Sequence, residues 1–377
     1  MTSQPMLFVF RADASVQIGT GHIMRCLTLA DALAQRGHEC QFICRDHQGS
    51  LHELILGKGY KVTTLRGTVD VRTDVSDSAE SAYAGWLGVP WQQDAEQSIE
   101  FLASVDADWL IVDHYALDAR WERRVAEAVG RIMVIDDLAD RHHQCALLLD
   151  QNLGRCSLDY DKLVPNDCLR LIGPEFALLR PEFSELRERS LQRRGQPELK
   201  RILISLGGVD RTNVTGRVLS ALATTALPVD TQLDIIMGAS APHLDEVRKQ
   251  AARLPFQTMI SVNVTDMAHR MYLADLSIGA AGGTSWERCC LGLPAILVVL
   301  ADNQIAGARA LQESGAAAVI PTEDLLQVRL PVLLQQLCEP ETAIRMSNCA
   351  AAVTAGDGVS KVAQTLTRMV GMYDGRA

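Results

Sequence analysis

At 377 residues the chain exceeds what one hydrophobic core usually organises, so two domains are expected. Its residues are 47% hydrophobic and 22% charged, an ordinary globular composition, and a net charge of -10 excludes holding nucleic acid or an anionic membrane by bulk electrostatics. A phosphate-bearing ligand would then have to be held by local backbone and side-chain donors.

The residues from Met1 to Met6 lack the basic start and apolar core of a signal peptide, and no apolar run reaches the ~18 residues of a membrane span. A cytoplasmic protein is expected. The ten cysteines are scattered without a CxxC pair, which favours buried free thiols over disulfides or structural zinc.

The first half alternates strand-like and helix-like segments. An apolar strand from Met6 to Phe10 runs into the polar loop Arg11 to Thr20, and Ile23, Leu27, Ala30 and Ala34 then carry helical period over 22–36. Gly37 ends that helix, Glu39 to Cys44 is a second strand, Ser50 to Leu56 a helix and Lys61 to Leu65 a strand. Residues 66–93 break the rhythm, being rich in Asp, Ser, Thr and Gly, with Trp86 and Trp91 in a polar setting; a loop of that length is functional or mobile. Helices follow at Asp94 to Val105 and 118–129, with strands at Trp109 to Asp113, Arg131 to Ile135 and Ala146 to Leu149. This is the rhythm of a parallel sheet.

Between about 155 and 198 the pattern weakens, and Arg193 to Pro197 is expected to be a linker. The theme then restarts: strand Arg201 to Leu206, glycine loop Gly207-Gly208-Val209-Asp210, helix Asn213 to Ala223. Strands near Leu233 to Met237, Ile260, Leu276 to Ala280, Ala295 to Leu300 and Ala316 to Ile320 follow. The expected architecture is α/β: two Rossmann-like domains, 1–190 and 198–377, with ligands in a cleft that they face.

Four stretches carry candidate chemistry. Gly19-Thr20-Gly21-His22 is half a dinucleotide fingerprint, without its third glycine, and is either a phosphate- or sugar-contacting loop or a structural turn. His22, between Arg11 and Asp13 on one side and Arg25 on the other, is a candidate base or a capping residue. Asp113-His114-Tyr115 closes a buried strand; Asp113 either serves the site or caps the next helix. Asp136-Asp137 is a possible cation pair, but adjacent carboxylates on a strand point to opposite faces, so loop-end solvation is the simpler expectation and no metal is assigned. In the second half, Gly207 and Gly208 precede a helix that Thr212 or Asn213 can cap, and Gly282-Gly283-Thr284-Ser285 opens another helix whose N-H groups and hydroxyls suit a diphosphate. Glu287, one turn on, either accepts from a ribose diol or merely favours the helix dipole, and Asp302-Asn303-Gln304 ends the next strand.

Together, Arg11-x-Asp13-x-Ser15-x-x-x-Gly19-x-Gly21-His22-x-x-Arg25, Asp113-His114-Tyr115, Gly207-Gly208-x-Asp210 and Asp302-Asn303-Gln304 resemble the UDP-sugar hydrolases of pseudaminic acid biosynthesis, over about residues 6–325. Residues 266–304 also resemble the UDP-binding half of the peptidoglycan UDP-GlcNAc transferase. The resemblance implies a GT-B fold and release of UDP from UDP-2,4-diacetamido-2,4,6-trideoxy-β-L-altropyranose. It implies His22 as the base activating water, and Asp13, Tyr115 and Asn303 as catalytic partners on the sugar side. Gly19, Gly21, Arg25, Gly207, Gly208, Gly282, Gly283, Thr284, Ser285 and Glu287 would bind substrate, Glu287 through the ribose. No cofactor is implied, since a nucleoside diphosphate leaves without a strong general acid. In GT-B proteins a terminal helix often packs back across the domains, which the helical pattern beyond Pro321 allows. A monomer acting on a UDP-sugar, with no nucleic acid or membrane partner, is expected. The alternatives are a UDP-sugar glycosyltransferase on the same fold and a non-catalytic nucleotide-sugar binding module.

Overall fold

The computed structural model describes residues 4–67, 82–225, 227–228, 230–239 and 241–371. Half of the expected 66–93 loop, residues 68–81, lies outside the described residues. Among the described residues two parallel sheets form, each in its own compact unit. The first comprises Leu7–Ala12 (β1), Glu39–Arg45 (β2), Lys61–Leu65 (β3), Trp109–Asp113 (β4), Arg131–Ile135 (β5), Leu147–Asp150 (β6) and Leu169–Ile172 (β7). Their order is β3-β2-β1-β4-β5-β6-β7, so the chain reverses direction across the sheet at β1 and β4. That switch point sets the C-terminal ends of β1 and β4 side by side, with Arg11 opposite Val112 and Ala12 opposite Asp113.

The second sheet holds Arg201–Ser205 (β8), Gln232–Met237 (β9), Gln257–Val262 (β10), Leu276–Ala280 (β11), Ala295–Val298 (β12) and Ala318–Ile320 (β13), in the order β10-β9-β8-β11-β12-β13. Its switch point lies between β8 and β11, where Gly279 pairs with Ser205. Strands buried on both faces give near-continuous apolar runs such as Leu147-Leu148-Leu149 and Ile202-Leu203-Ile204, all without solvent exposure.

Two expectations about domain limits differ from the structure. The units are 1–178 with 359–377, and 179–358, so the expected division into 1–190 and 198–377 moves at both ends. The helix Pro181–Arg194 absorbs the first part of the expected linker because its arginines are anchored in the second unit. Arg187 donates to the carbonyls of Cys290, Thr354 and Ala351, and Arg194 to those of Ala274 and Met271. The last helix, Gly358–Gly371, instead buries Val359, Val362, Ala363 and Leu366 in the core of the first sheet, at the spacing of one helical face. β7 was not expected: as an edge strand it buries only Leu171 fully, which leaves a weak apolar signal. All ten cysteines are free.

Candidate functional site

The loop after β1 folds back on itself. Gly19 sits at φ 83° and donates to the Ser15 carbonyl, while the Ser15 hydroxyl accepts from Gln17 and Ile18 N-H groups, closing a tight turn before the helix Gly21–Ala34. Thr20 places no side chain on the first helical N-H groups. His22, in the first turn, therefore arrives at the end of β4.

There its Nδ1 lies 2.6 Å from Asp113 Oδ1. Burial works to raise the Asp113 pKa, but Arg25 and His22 outweigh it and hold the carboxyl well below the usual range. An ionised carboxylate only accepts, so Nδ1 carries the proton and the lone pair of the neutral ring is on Nε2. Among the described residues no hydrogen bond engages Nε2. His22 is 8% exposed, with Tyr115 edge-on at 4.7 Å between ring centroids and Trp86 edge-on at 6.4 Å. An imidazole held in this way, with Nε2 unengaged, has the arrangement that general-base chemistry requires, and Asp113 is the group that orients it. The capping alternative for Asp113 falls, because Asp118 caps the following helix by accepting from the Arg120 N-H at 2.8 Å.

Three residues have roles different from those the resemblance implied. Arg25 spends its guanidinium on Asp113, at 2.6 Å from both Nε and Nη2, and on Asp137, at 3.0 Å from Nη1, so it fixes carboxylates and is not free to hold substrate. Asp13 has no exposed surface. It is paired with Arg11 at 2.7 Å and accepts from the Arg45 N-H at 2.6 Å, and Arg11 and Arg45 both reach Asp94, which also accepts from Trp121. Asp13 thus braces the end of β1 behind the site. Beside it, His114 accepts from the Ala116 N-H, and burial lowers its pKa to about 3, so it is neutral. Ser285, the third, is discussed with the second unit below.

Tyr115 donates to Asp137 Oδ2 at 2.7 Å, and Asp137 also takes Arg25 and Asn152. Asp136 is fully buried and accepts from Ala139 N-H and Tyr160 while pairing with Arg141. The two neighbouring carboxylates therefore diverge onto protein donors, and loop-end solvation does not describe them. Among the described residues no group of three or more His, Cys, Asp or Glu side chains is placed to hold a metal. Asp94 and Asp150 were missed as members of these networks, and Asp137 was assigned to loop-end solvation. For Asp137 and Asp150 the available signal was an acid just at or after the ends of β1, β4, β5 and β6, four strands that the topology makes neighbours; Asp94, in the helix Trp91–Leu102, carried no such signal.

In the second unit the two glycine loops behave differently. Gly207, at φ 103°, and Gly208 are exposed, but the helix Val214–Leu222 that follows is capped from within: Asp210 accepts from the Val214 and Thr215 N-H groups and Asn213 from Gly216. That helix terminus has no N-H left for phosphate. The helix Thr284–Cys290 has no side-chain cap, and a Cβ built on Gly283 would meet nothing within 4 Å; the Ser285 and Trp286 N-H groups bond the Gly282 and Gly283 carbonyls, so the Gly283 and Thr284 N-H groups are the ones open to a ligand. Of the two hydroxyls expected to reach that ligand, Thr284 is half-buried, whereas Ser285 Oγ is buried without a partner and points inward. Glu287, on the same helix, has 17% of its side chain exposed; burial raises its pKa to about 7, against the pull of Arg180 and Arg288. Asn303 is exposed on the short 3-10 helix Asp302–Gln304 after β12, where Gln304 accepts from the Leu300 N-H.

Two Rossmann-like units, each a parallel sheet with a switch point, give the chain the GT-B fold. Residues 205–366 match the family model described as the glycosyltransferase family 28 C-terminal domain. The chain is similar to the UDP-2,4-diacetamido-2,4,6-trideoxy-beta-L-altropyranose hydrolase of Campylobacter jejuni, 29% identical over 247 residues, 65% of this chain and 74% of that protein. It is 24% identical over 298 residues to the uncharacterized protein MJ1062 of Methanocaldococcus jannaschii, covering 78% of this chain and 55% of the length of that relative. Among solved structures, MurG of Acinetobacter baumannii superposes with a TM-score of 0.65 at 16% identity, covering 97% of this chain and 100% of that one, and so shares the fold. The expected GT-B fold and the resemblance to a UDP-sugar hydrolase are thereby borne out.

Proposed function

We propose that the chain hydrolyses UDP-2,4-diacetamido-2,4,6-trideoxy-β-L-altropyranose, releasing UDP, in the pathway to pseudaminic acid. The observation that carries the reading is the 2.6 Å contact from Asp113 to His22 Nδ1, which leaves Nε2 as the basic nitrogen. Water held by that nitrogen attacks the anomeric carbon as the C-O bond to the diphosphate breaks, and its proton passes to His22. In the second unit, taken by itself, the N-H groups of Gly283 and Thr284 suit a diphosphate and the Glu287 carboxylate suits a ribose hydroxyl. Tyr115 is fixed by Asp137 against the imidazole, and in the second unit Asn303 carries an exposed amide suited to a sugar hydroxyl. Attack opposite the leaving group inverts the anomeric centre. No metal is required in this scheme, because the diphosphate is a competent leaving group once its charge is met by backbone donors.

The family 28 match favours a second reading, transfer of the sugar to an acceptor hydroxyl. Measuring UDP release from the pathway sugar with no acceptor present separates the two. Hydrolysis is expected, unchanged by a chelator, with proton NMR showing an inverted nascent product. His22→Asn should lower kcat by ~100-fold or more with UDP binding retained. Release only on adding an acceptor would establish transfer instead, and an unchanged rate in His22→Asn would remove the imidazole from the mechanism.

A further inference from the structure

We infer that Trp86 sets the sugar specificity of the His22 site by presenting an aromatic face to apolar substituents of the bound sugar. The inference rests on the hydrolase reading and adds to it the residue that meets the deoxy carbon and acetamido methyl groups of that sugar.

The short 3-10 helix Ala84–Trp86 is held at its C-terminal side by Leu87, which is 2% exposed in the core beneath it. It sets the Trp86 ring on Tyr115, stacked at 5.5 Å with 23° between planes. Tyr83 closes the cluster edge-on, 4.8 Å from Trp86 and 5.1 Å from Tyr115. Both Trp86 and Tyr115 stand edge-on to the His22 imidazole, at 76° and 86°. The base is thus framed by aromatic surface from two separate segments, and Trp86 itself remains half-buried.

The polar side of the same site is already occupied. Asp113 is bound by His22 and Arg25, and Asp137 by Arg25, Tyr115 and Asn152. A sugar hydroxyl entering here loses water and finds donors and acceptors committed elsewhere, which is costly. A methyl group or deoxy carbon entering the same space gains from leaving water and from contact with the ring faces. Trp86 has no group that can move a proton, so its contribution is to binding and selection.

The test is steady-state UDP release from UDP-2,4-diacetamido-2,4,6-trideoxy-β-L-altropyranose by the wild type, Trp86→Ala and Trp86→Phe, with UDP and UDP-GlcNAc as competing inhibitors. Trp86→Ala is expected to raise KM about tenfold with kcat within about threefold, and Trp86→Phe to keep KM within about threefold, since it retains an aromatic face. Inhibition by UDP should be the same in all three proteins. Inhibition by UDP-GlcNAc, whose sugar keeps its C6 hydroxyl, should change by less than about twofold, so that discrimination collapses in Trp86→Ala. An unchanged KM in Trp86→Ala, or equal losses for both sugars, overturns the inference. If Trp86→Ala also loses UDP inhibition it has lost its fold, and Trp86→Leu, with apolar bulk but no ring, decides by the same comparison. Absence of UDP release by the wild type would overturn the hydrolase reading, whereas wild-type turnover with an unchanged Trp86→Ala KM would overturn the role of Trp86 alone.

Discussion

The first residue-scale lesson is that carboxylates at strand ends divide into holders and held. Asp113 holds His22, while Asp137 holds Arg25 and the Tyr115 side chain; Asp94, on the helix Trp91–Leu102, holds Arg11, Arg45 and Trp121 from outside the sheet. Asp150 is different. The Tyr160 hydroxyl lies 2.9 Å from both Asp136 Oδ2 and Asp150 Oδ2, yet it has one proton to give, so one carboxyl must supply the other. Burial and the Asp137 charge raise the Asp150 pKa to about 7, with the Asn152 N-H and Tyr160 opposing, which makes Asp150 the protonated partner. Its folded pKa lies above the ordinary carboxylate value, so the folded chain retains that proton longer than the unfolded chain. The resulting stability is fully present below about pH 4 and is lost as pH rises through about 7. Asp150→Asn keeps Oδ1 for Asn152 and places an amide donor towards Tyr160. Its Tm gain over wild type should be larger at pH 8 than at pH 5 by about 2–4 °C, the shift that ~1 kcal/mol produces, measured by calorimetry. An equal difference at both pH values would count against a buried, protonated Asp150.

At the scale of the element, the two helices that follow glycine loops in the second unit show how a cap decides what a helix terminus can do. The helix Val214–Leu222 is satisfied by Asp210 and Asn213, both at positive φ, while the helix Thr284–Cys290 begins on a glycine with no side-chain cap. In sequence both look like phosphate loops, because GG before a helix is compatible with either arrangement. Asp210→Ala removes acceptors for two buried N-H groups and should cost about 1–2 kcal/mol in a denaturant titration, with UDP affinity unchanged. Loss of UDP affinity at full stability would return the nucleotide to the Gly207–Gly208 loop. Gly238, just after β9, packs against that loop: a Cβ there would lie 2.0 Å from the Gly208 carbonyl oxygen.

At the scale of the whole molecule, the chain returns at its end to the unit where it began. Leu366 is fully buried in the core that also holds Phe8, Phe10 and Leu27, so Leu366→Ala should destabilise the first unit by about 2–5 kcal/mol, seen as an earlier transition in differential scanning calorimetry. If the second unit's transition moved instead, the helix would belong there. Periodicity and glycine punctuation alone established the α/β class, the parallel strands, the restart near Arg201 and His22 at a strand-loop-helix junction, because those signals are local. The resemblance of the motifs in register pointed to UDP-sugar chemistry. Sequence left β7 hidden, because an edge strand has a weak apolar pattern, and misplaced the domain limits, because the allegiance of Pro181–Arg194 and Gly358–Gly371 depends on which core each helix buries. It also left open which polar residues face substrate. Arg11, Asp13, Arg25 and Asp113 are all near His22 in motif or strand end, but their roles follow from which charges the sheet order places in contact, across 83 to 91 residues of chain for Asp94 with Arg11 and Asp113 with His22. Local sequence determined the elements and their chemistry; only tertiary pairing of distant charges decided which groups are spent on one another and which imidazole nitrogen is left unengaged.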